Sequence, residues 1–418
     1  MLPIPMRILL INQVFYPDVA ATAQHAHDLA LHLIKHGHEV EVIASRSIYW
    51  KGGSSGGAGE LLPQREVVDG IKINRVGRSV FGKANNLARA ADFGLFYLAA
   101  MLKAFFVKKP DVVVCFTTPP LIALVGWLMR VFRGSRFVYW VMDLYPDLPV
   151  ACGVMRPTSL IASVCERIHR FVLRRADRIV VLGRCMRNRV LEKGIADDAI
   201  EIVHVWSDTE EVKLIPREAN PYRAEWGVGD AFVVMYSGNY GVGHDVQTML
   251  GAALRLRDRD DIRFVFAGGG VRKKEVEGFI AEHALKNAQS RPYQPRERLA
   301  ELLTLADLHL ASQAQSMAGL FVPSKLFGIL AAARPAVFVG NADAENALVL
   351  EENNCGWVIP CGDIDGLVAL IEKLAADRAL ARETGERGRA ALAAHYSRED
   401  GCERWRRLLE RVVANPAS

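Results

Sequence analysis

No two cysteines in this chain are spaced Cys-x-x-Cys, and the seven present, at positions 115, 152, 165, 185, 355, 361 and 402, are odd in number. Such a set suits free thiols in a reducing compartment. G-x-S-x-G occurs only inside the glycine-rich run 52–59, and no G-x-x-x-x-G-K-[ST] loop occurs, which removes the commonest nucleoside-triphosphatase signature. No apolar run reaches about 18 residues, the length that spans a bilayer. The opening Met1-Leu2-Pro3-Ile4-Pro5-Met6-Arg7 has neither a basic leader nor a small-residue cleavage site, so it reads as the approach to a buried strand of a cytoplasmic protein. Charge of one sign is also scarce: 52 Lys and Arg against 47 Asp and Glu leave +5, and a dedicated nucleic-acid binder is not expected. His32 and His36 are four apart, but the intervening Leu33-Ile34-Lys35 lacks the glutamate of H-E-x-x-H, so no zinc site is expected there.

What the chain has is rhythm. Half of its 418 residues are hydrophobic, enough for two or three domains at about 100 to 200 residues each. Short Val/Ile/Leu-rich runs at 7–12, 40–45, 111–116, 137–142, 178–182 and 200–205 alternate with helix-length segments at 23–36, 84–107, 121–132 and 159–175. This alternation predicts a parallel α/β sheet covered by helices on both faces. Pro216 to Pro221 interrupts it, and it restarts at 232–237, 262–267, 308–311 and 335–339. Two doubly wound, Rossmann-like domains facing a central cleft are therefore expected, over 1–215 and 216–397. A terminal helix within 398–418, striped by Trp405, Leu408, Leu409 and Val412, suits packing rather than solvation. The glycine-rich 52–59 predicts a mobile loop, because ordering glycine costs more backbone entropy than ordering other residues.

In such sheets ligands bind outside the carboxyl ends of the strands. After the first strand, Ala21, Thr22 and His25 lie in a small-residue stretch feeding a helix, which suits either close approach of a ligand or tight helix packing. The run Gly238-Asn239-Tyr240-Gly241-Val242-Gly243-His244 follows the strand at 232–237. It offers amide donors to a phosphate, but its G-x-x-G-x-G spacing is not the dinucleotide fingerprint. Gly268, Gly269 and Gly270 read as a plain tight turn. Pro323-Ser324-Lys325 opens another helix, where a hydroxyl, an ammonium and free amides suit a diphosphate; the alternative is an N-cap beside a solvated lysine. Glu345 starts a further helix and suits ribose hydroxyls or the helix dipole. Asp143, just past the strand at 137–142, is the best placed acid of the first half, with a catalytic or a loop-fixing role equally open.

Three basic and apolar segments, 93–109, 127–136 and 167–178, suit either core helices with solvated ends or an anionic membrane surface.

Taken with Tyr16-Pro17-Asp18, Gly37-His38-Glu39-Val40, Thr117-Thr118-Pro119-Pro120 and Asp143-Leu144-Tyr145-Pro146, the chain resembles the family 4 glycosyltransferases with the GT-B fold. The second half matches through Tyr236-Ser237-Gly238-Asn239-Tyr240-Gly241, Pro292-Tyr293-Gln294-Pro295-Arg296, Ala306-Asp307-Leu308-His309-Leu310 and Val322-Pro323-Ser324-Lys325. The resemblance is to the bacterial branch that builds exopolysaccharides, capsules and O-antigens. It implies retaining transfer from a nucleotide-diphosphate sugar, expected to be a UDP-sugar, to a polyprenyl-diphosphate-linked saccharide, at the inner face of the cytoplasmic membrane, with no metal or other cofactor. It implies donor contacts at Gly238, Asn239, Gly241, His244, Pro323, Ser324 and Lys325, the base near Tyr293 and Gln294, and the sugar or ribose near Glu345. Ala21, Thr22 and His25 would approach the donor or the acceptor from the first domain, with Thr118 in the acceptor cleft, the terminal helix would cross back onto the first domain, and Asp143 and Lys325 are the candidate catalytic groups.

The chain departs from the family pattern in three places. The usual pair of glutamates eight apart falls at Leu320 and Gly328, the usual Arg and Lys at Asn239 and His244, and the usual first-domain histidine at Met142. Those departures keep two other readings open: a UDP-sugar epimerase of the same fold, or a non-catalytic sugar-nucleotide-binding subunit.

Overall fold

The computed structural model describes residues 5–18, 20–47, 50–51, 54–55, 61–77 and 86–414. The glycine-rich stretch expected to be mobile lies outside the described residues except for 54–55. The strands, in chain order, are β1 (Arg7–Ile11), β2 (Glu39–Ser45), β3 (Trp50–Lys51), β4 (Ser54–Ser55), β5 (Arg65–Val68), β6 (Ile71–Val76), β7 (Val112–Cys115), β8 (Arg136–Val141), β9 (Arg178–Val181), β10 (Ile200–Ile202), β11 (Phe232–Asn239), β12 (Ile262–Gly269), β13 (Ala288–Arg291), β14 (Leu308–Ser312), β15 (Ala336–Val339) and β16 (Gly356–Ile359).

The first compact unit comprises Met1–His204 with Glu399–Ser418. Its sheet has the order β10-β9-β8-β7-β1-β2-β6-β5. The pairing is parallel throughout except at the β5–β6 edge hairpin. That hairpin carries too short and too mixed a pattern to have been read as strands. Val112–Cys115 is buried at every position, as a strand covered on both faces must be. The helix Ala21–Lys35 buries Ala23, Ala26, Leu29, Ala30 and Leu33, a stripe at helical spacing. The helix Ala123–Arg133 lies so close to the sheet that a Cβ at Gly126 would come within 2.4 Å of the Phe137 ring.

The terminal helix Arg398–Ala414 buries Trp405, Leu408, Leu409 and Val412. Trp405 packs on Trp140 of β8 with ring centroids 4.4 Å apart, and Arg411 pairs with Glu201 of β10 at 2.9 Å. The segment therefore completes the first unit.

The second unit is Val205–Arg398, with the all-parallel order β13-β12-β11-β14-β15-β16. It begins earlier than the expected 216, because the Ser207 amide donates to the Tyr396 carbonyl at 3.4 Å and Arg398 pairs with Asp208, and the interrupting Pro216 to Pro221 is folded into it as well. Asn220 accepts from the Tyr222 amide at 3.0 Å, capping the helix Pro221–Glu225, and donates to the Glu301 carbonyl at 2.8 Å. Arg217 pairs with Asp307 at 3.2 Å.

In each sheet the winding direction reverses at one place, between β7 and β1 in the first and between β11 and β14 in the second. The carboxyl ends of those strands are where a doubly wound sheet leaves room for a ligand. Among the described residues no helix is long and apolar enough to cross a membrane.

Candidate functional site

At the reversal in the second unit the loop after β11 meets the loop after β14. His244 Nδ1 lies 2.6 Å from the Ser312 carbonyl oxygen, tying the two strand ends together. Burial and the nearby Lys325 charge push the His244 pKa down to about 3, so this imidazole is neutral and Nδ1 carries the donated proton.

Lys325 is the centre of the arrangement. Its Nζ sits 3.6 Å from the centroid of the Tyr236 ring, and a Cβ built on Gly238 would lie 3.8 Å from it. The ammonium is buried and has no hydrogen-bond partner among the described residues. Burial holds its pKa well below the ordinary lysine value. A solvated first-turn lysine is thereby excluded. Ser324 makes no capping hydrogen bond, so the N-cap reading of that residue fails as well. Tyr236 is itself fully buried and donates to the Asn239 carbonyl at 3.0 Å.

The glycines divide into two kinds. Gly238 has φ +121° and faces the Lys325 amine, so the chain can pass close to whatever that amine holds. Gly268 and Gly270 are required by close packing, but Gly268 and Gly269 belong to β12, paired with β11, rather than to the tight turn expected. A Cβ at Gly268 would stand 1.9 Å from the Gly238 carbonyl oxygen, and one at Gly270 would stand 2.4 Å from Asn239 Oδ1. A Cβ at Gly241 would come tightly, within 3.3 Å, against Asn239 Nδ2 and lie 3.5 Å from His244 Cδ2. The helix after this loop starts at Gln247, with Asp245 accepting the Thr248 amide at 3.0 Å.

The remaining second-unit candidates are spread around this point. The Tyr293 ring packs against Gly269, and burial raises its pKa to about 12. Gln294 accepts from the Tyr222 hydroxyl at 2.8 Å, which fixes its side chain. Pro323 receives a hydrogen bond at its carbonyl from Asn346, at 3.0 Å. This links it to the helix Glu345–Glu352, whose first residue, Glu345, is buried. Leu320 is buried and apolar, and Gly328 stands against Leu303, so neither supplies the carboxylate a ribose would use.

One cation escaped the sequence reading. Arg272, two residues past Gly270 at the carboxyl end of β12, donates to the His244 carbonyl and to Glu275 at 2.7 Å. Its position at a strand's carboxyl end was the signal, obscured by the glycines before it.

In the first unit Asp143 follows β8. Its amide donates to Thr117 Oγ1 at 3.3 Å, and burial pushes its carboxyl up to about 6. Thr118 accepts the Gln13 amide at its carbonyl, at 2.8 Å, joining the ends of β7 and β1. His25 is buried, its pKa pushed down to about 4. Ala21 and Thr22 form the first turn of the helix Ala21–Lys35.

His32 and His36 acquire a third neighbour that the sequence could not reveal. Glu403 of the terminal helix brings its carboxylate within 3.4 Å of His32 Nε2, and donor atoms of the three residues lie within 4.8 Å of one another. Arg406 and Arg407 bind the same carboxylate at 2.7 and 2.8 Å and hold it well below the usual carboxylate range. A cation placed there would face two guanidinium groups. The cluster instead fastens the terminal helix.

Two family models match the chain: a glycosyl transferase 4-like domain over residues 21–206 and glycosyl transferases group 1 over residues 220–391. The chain belongs to the family 4 glycosyltransferases. The probable glycosyltransferase WbjE of Pseudomonas aeruginosa is 30% identical over 64% of this chain and 66% of its own length. The putative colanic acid biosynthesis glycosyl transferase WcaI of Escherichia coli K12 is 25% identical over 91% of this chain and 96% of its own. Among solved structures, Anabaena HepE in complex with UDP-glucose superposes with a TM-score of 0.70 at 14% identity, covering 97% of this chain and 99% of that one. This glycosyltransferase thus has two GT-B Rossmann-like domains, and its group 1 domain contains the Lys325 arrangement.

Proposed function

We propose that this glycosyltransferase is a retaining enzyme that moves a sugar from a UDP-sugar to a polyprenyl-diphosphate-linked saccharide in the assembly of a surface polysaccharide. The observation that carries the reading is the buried, unpartnered Lys325 ammonium between Tyr236 and Gly238. An ammonium taken out of water without an anion is costly, and a nucleotide diphosphate is the anion this fold brings to the carboxyl end of that sheet. As the bond from the sugar to the diphosphate breaks, negative charge grows on the leaving group, and a fixed cation stabilises that charge more than it stabilises the intact donor. Asn239 and Gly241 suit backbone contacts beside it, and Glu345 suits sugar or ribose hydroxyls. On the acceptor side Asp143, which is ionised above about pH 6, suits a hydroxyl that must lose its proton.

The name of WcaI supports polysaccharide assembly, and the HepE complex supports UDP-glucose chemistry in this fold. Peripheral contact with an anionic membrane is supported by the helix Leu160–Arg175. It exposes Leu160, Ile161 and Val164 towards its start and gathers Arg167, Arg170, Arg174 and Arg175 around a cavity towards its end.

Calorimetric titration with UDP, GDP, ADP, UDP-hexoses and NAD, each with EDTA and with magnesium, tests the donor. Selective, metal-independent binding of UDP or a UDP-sugar is expected. Binding of NAD alone, or of none of them, overturns the reading.

A further inference from the structure

A second basic cavity lies in the first unit, at the carboxyl ends of β2 and β6 and against the helix Asn86–Phe106. It has a volume of about 560 Å³ and is lined by Arg46, Arg65, Arg75 and Lys103, with Leu95 and Ala99 among its apolar walls. Its size falls in the range of about 300–1,000 Å³ typical of small-molecule sites. The acids facing it are already engaged. Glu66 is bound by Arg75 at 2.6 Å, and Glu41 accepts from Asn74 at 2.6 Å. Arg46, Arg65 and Lys103 have no carboxylate partner among the described residues. Burial and the Arg65 charge hold the Lys103 ammonium below its ordinary value, against a smaller opposing pull from Glu41. The cavity also adjoins the loop after β1, since Arg75 donates to the Tyr16 carbonyl.

The same helix carries a second feature. Leu95, Ala99 and Lys103 line the cavity at four-residue spacing, while Leu98, Leu102 and Phe106 form a parallel row that is 58%, 58% and 84% exposed. Three residues on an α-helix correspond to a turn of about 300°, so the two rows lie about 60° apart and run side by side. A cationic cavity bordered by an exposed apolar track matches an amphiphile with a doubly charged head and a hydrocarbon tail. Inorganic phosphate or a nucleotide would leave the track uncovered.

We infer that this cavity is the acceptor-lipid subsite: Arg46, Arg65 and Lys103 take the diphosphate of an isoprenoid diphosphate, and Leu98, Leu102 and Phe106 take the first part of its chain. The inference rests on the lipid-linked acceptor proposed above and joins part of the basic and apolar segment 93–109 to Arg46 and Arg65, which the sequence had not singled out. Arg75 is a positioning residue, because its guanidinium is spent on Glu66 and Tyr16.

The test uses the full chain with saturating UDP, so that the Lys325 site is filled, and titrates farnesyl diphosphate, inorganic pyrophosphate and farnesol. Farnesyl diphosphate is expected to bind at least about tenfold more tightly than either fragment. The double variant Arg65→Ala/Lys103→Ala should lose about tenfold or more for both diphosphates, each lost charged contact being a substantial fraction of that. Leu98→Ser/Leu102→Ser should weaken farnesyl diphosphate and leave pyrophosphate unchanged. UDP affinity, measured on every variant, reports folding and the donor site separately. Wild-type affinity of farnesyl diphosphate for the Arg65/Lys103 variant overturns the subsite whether or not UDP binds. If the leucine variant loses binding to phosphatidylglycerol vesicles but keeps farnesyl diphosphate, the track is a bilayer contact and the tail assignment falls. Failure of UDP itself to bind counts against the donor reading and not against this cavity.

Discussion

The Lys325 ammonium rests 3.6 Å from the centre of the Tyr236 ring and touches no acceptor among the described residues. A cation–π contact in a desolvated place contributes about 2 kcal/mol or more, but it leaves the positive charge without a counter-ion. The geometry is that of a group held ready for an anion, and it separates stability from function. Lys325→Met should lose UDP affinity by about tenfold or more and should raise the melting temperature of the ligand-free protein. A variant that binds UDP normally removes Lys325 from the donor site.

The same burial makes donor binding pH-dependent. The free-form pKa of Lys325 is lowered, and a bound diphosphate raises it, so binding takes up a proton between those two values. UDP affinity is therefore greatest below the free-form pKa and falls as pH rises towards the bound-form value. In the absence of ligand the sign is opposite: the unfolded state binds the proton more readily, and stability rises with pH across the interval from the lowered pKa to about 10.4. Calorimetry in two buffers of different ionisation enthalpy should show net proton uptake in the wild type and none from this group in Lys325→Met. Net release would contradict the assignment.

Asp143 belongs to the other unit and should behave differently. Asp143→Asn is expected to leave UDP binding unchanged while lowering sugar transfer. If its carboxylate takes the acceptor proton, transfer should rise with pH through about 6 and lose that limb in the asparagine variant. Its raised pKa also means that ionising it costs stability, so folding weakens as pH rises from the ordinary carboxylate value to about 6. Unchanged transfer by the variant, at every pH, excludes Asp143 from the reaction.

Two glycines make a matched pair. Gly268 has φ +139°, and a Cβ there would collide with the Gly238 carbonyl at 1.9 Å, so Gly268→Ala should cost about 3 kcal/mol or more in urea unfolding and weaken UDP binding by displacing Gly238. Gly278, in the helix Lys273–Glu282, meets nothing within 4 Å. Gly278→Ala should stabilise by about 0.5–1 kcal/mol. Equal effects at the two sites would show that close approach of β11 and β12 is not what requires Gly268.

Trp405 and Trp140 are both fully buried, and they anchor a helix separated by an entire unit of chain from the sheet it completes. Trp405→Ala should destabilise the first unit by about 3–5 kcal/mol. Hydrogen exchange should accelerate in β8 before it does in β11. Faster exchange in the second unit alone would place the helix's energetic role elsewhere.

The two parallel sheets, the order of helices and strands, and the place of the candidate loops were determined by the sequence itself, because alternating apolar runs and helix-length stripes are local patterns. The loop after β11 and the residues around Lys325 could be named for the same reason: strand, glycines and helix follow one another directly in the chain. The fate of Lys325 could not. Its first-turn position reads equally as a solvated charge, and only the arrival of Tyr236 and Gly238 from β11 removes it from water. Glu403 beside His32, the cations of Arg65 and Lys103, without a carboxylate partner among the described residues, and the stacking of Trp405 on Trp140 likewise join residues distant in sequence. Local propensity has no term for such pairs. They exist because parallel winding brings strand ends together and because the last helix returns to the first sheet. Tertiary structure therefore decided which charges lack partners among the described residues.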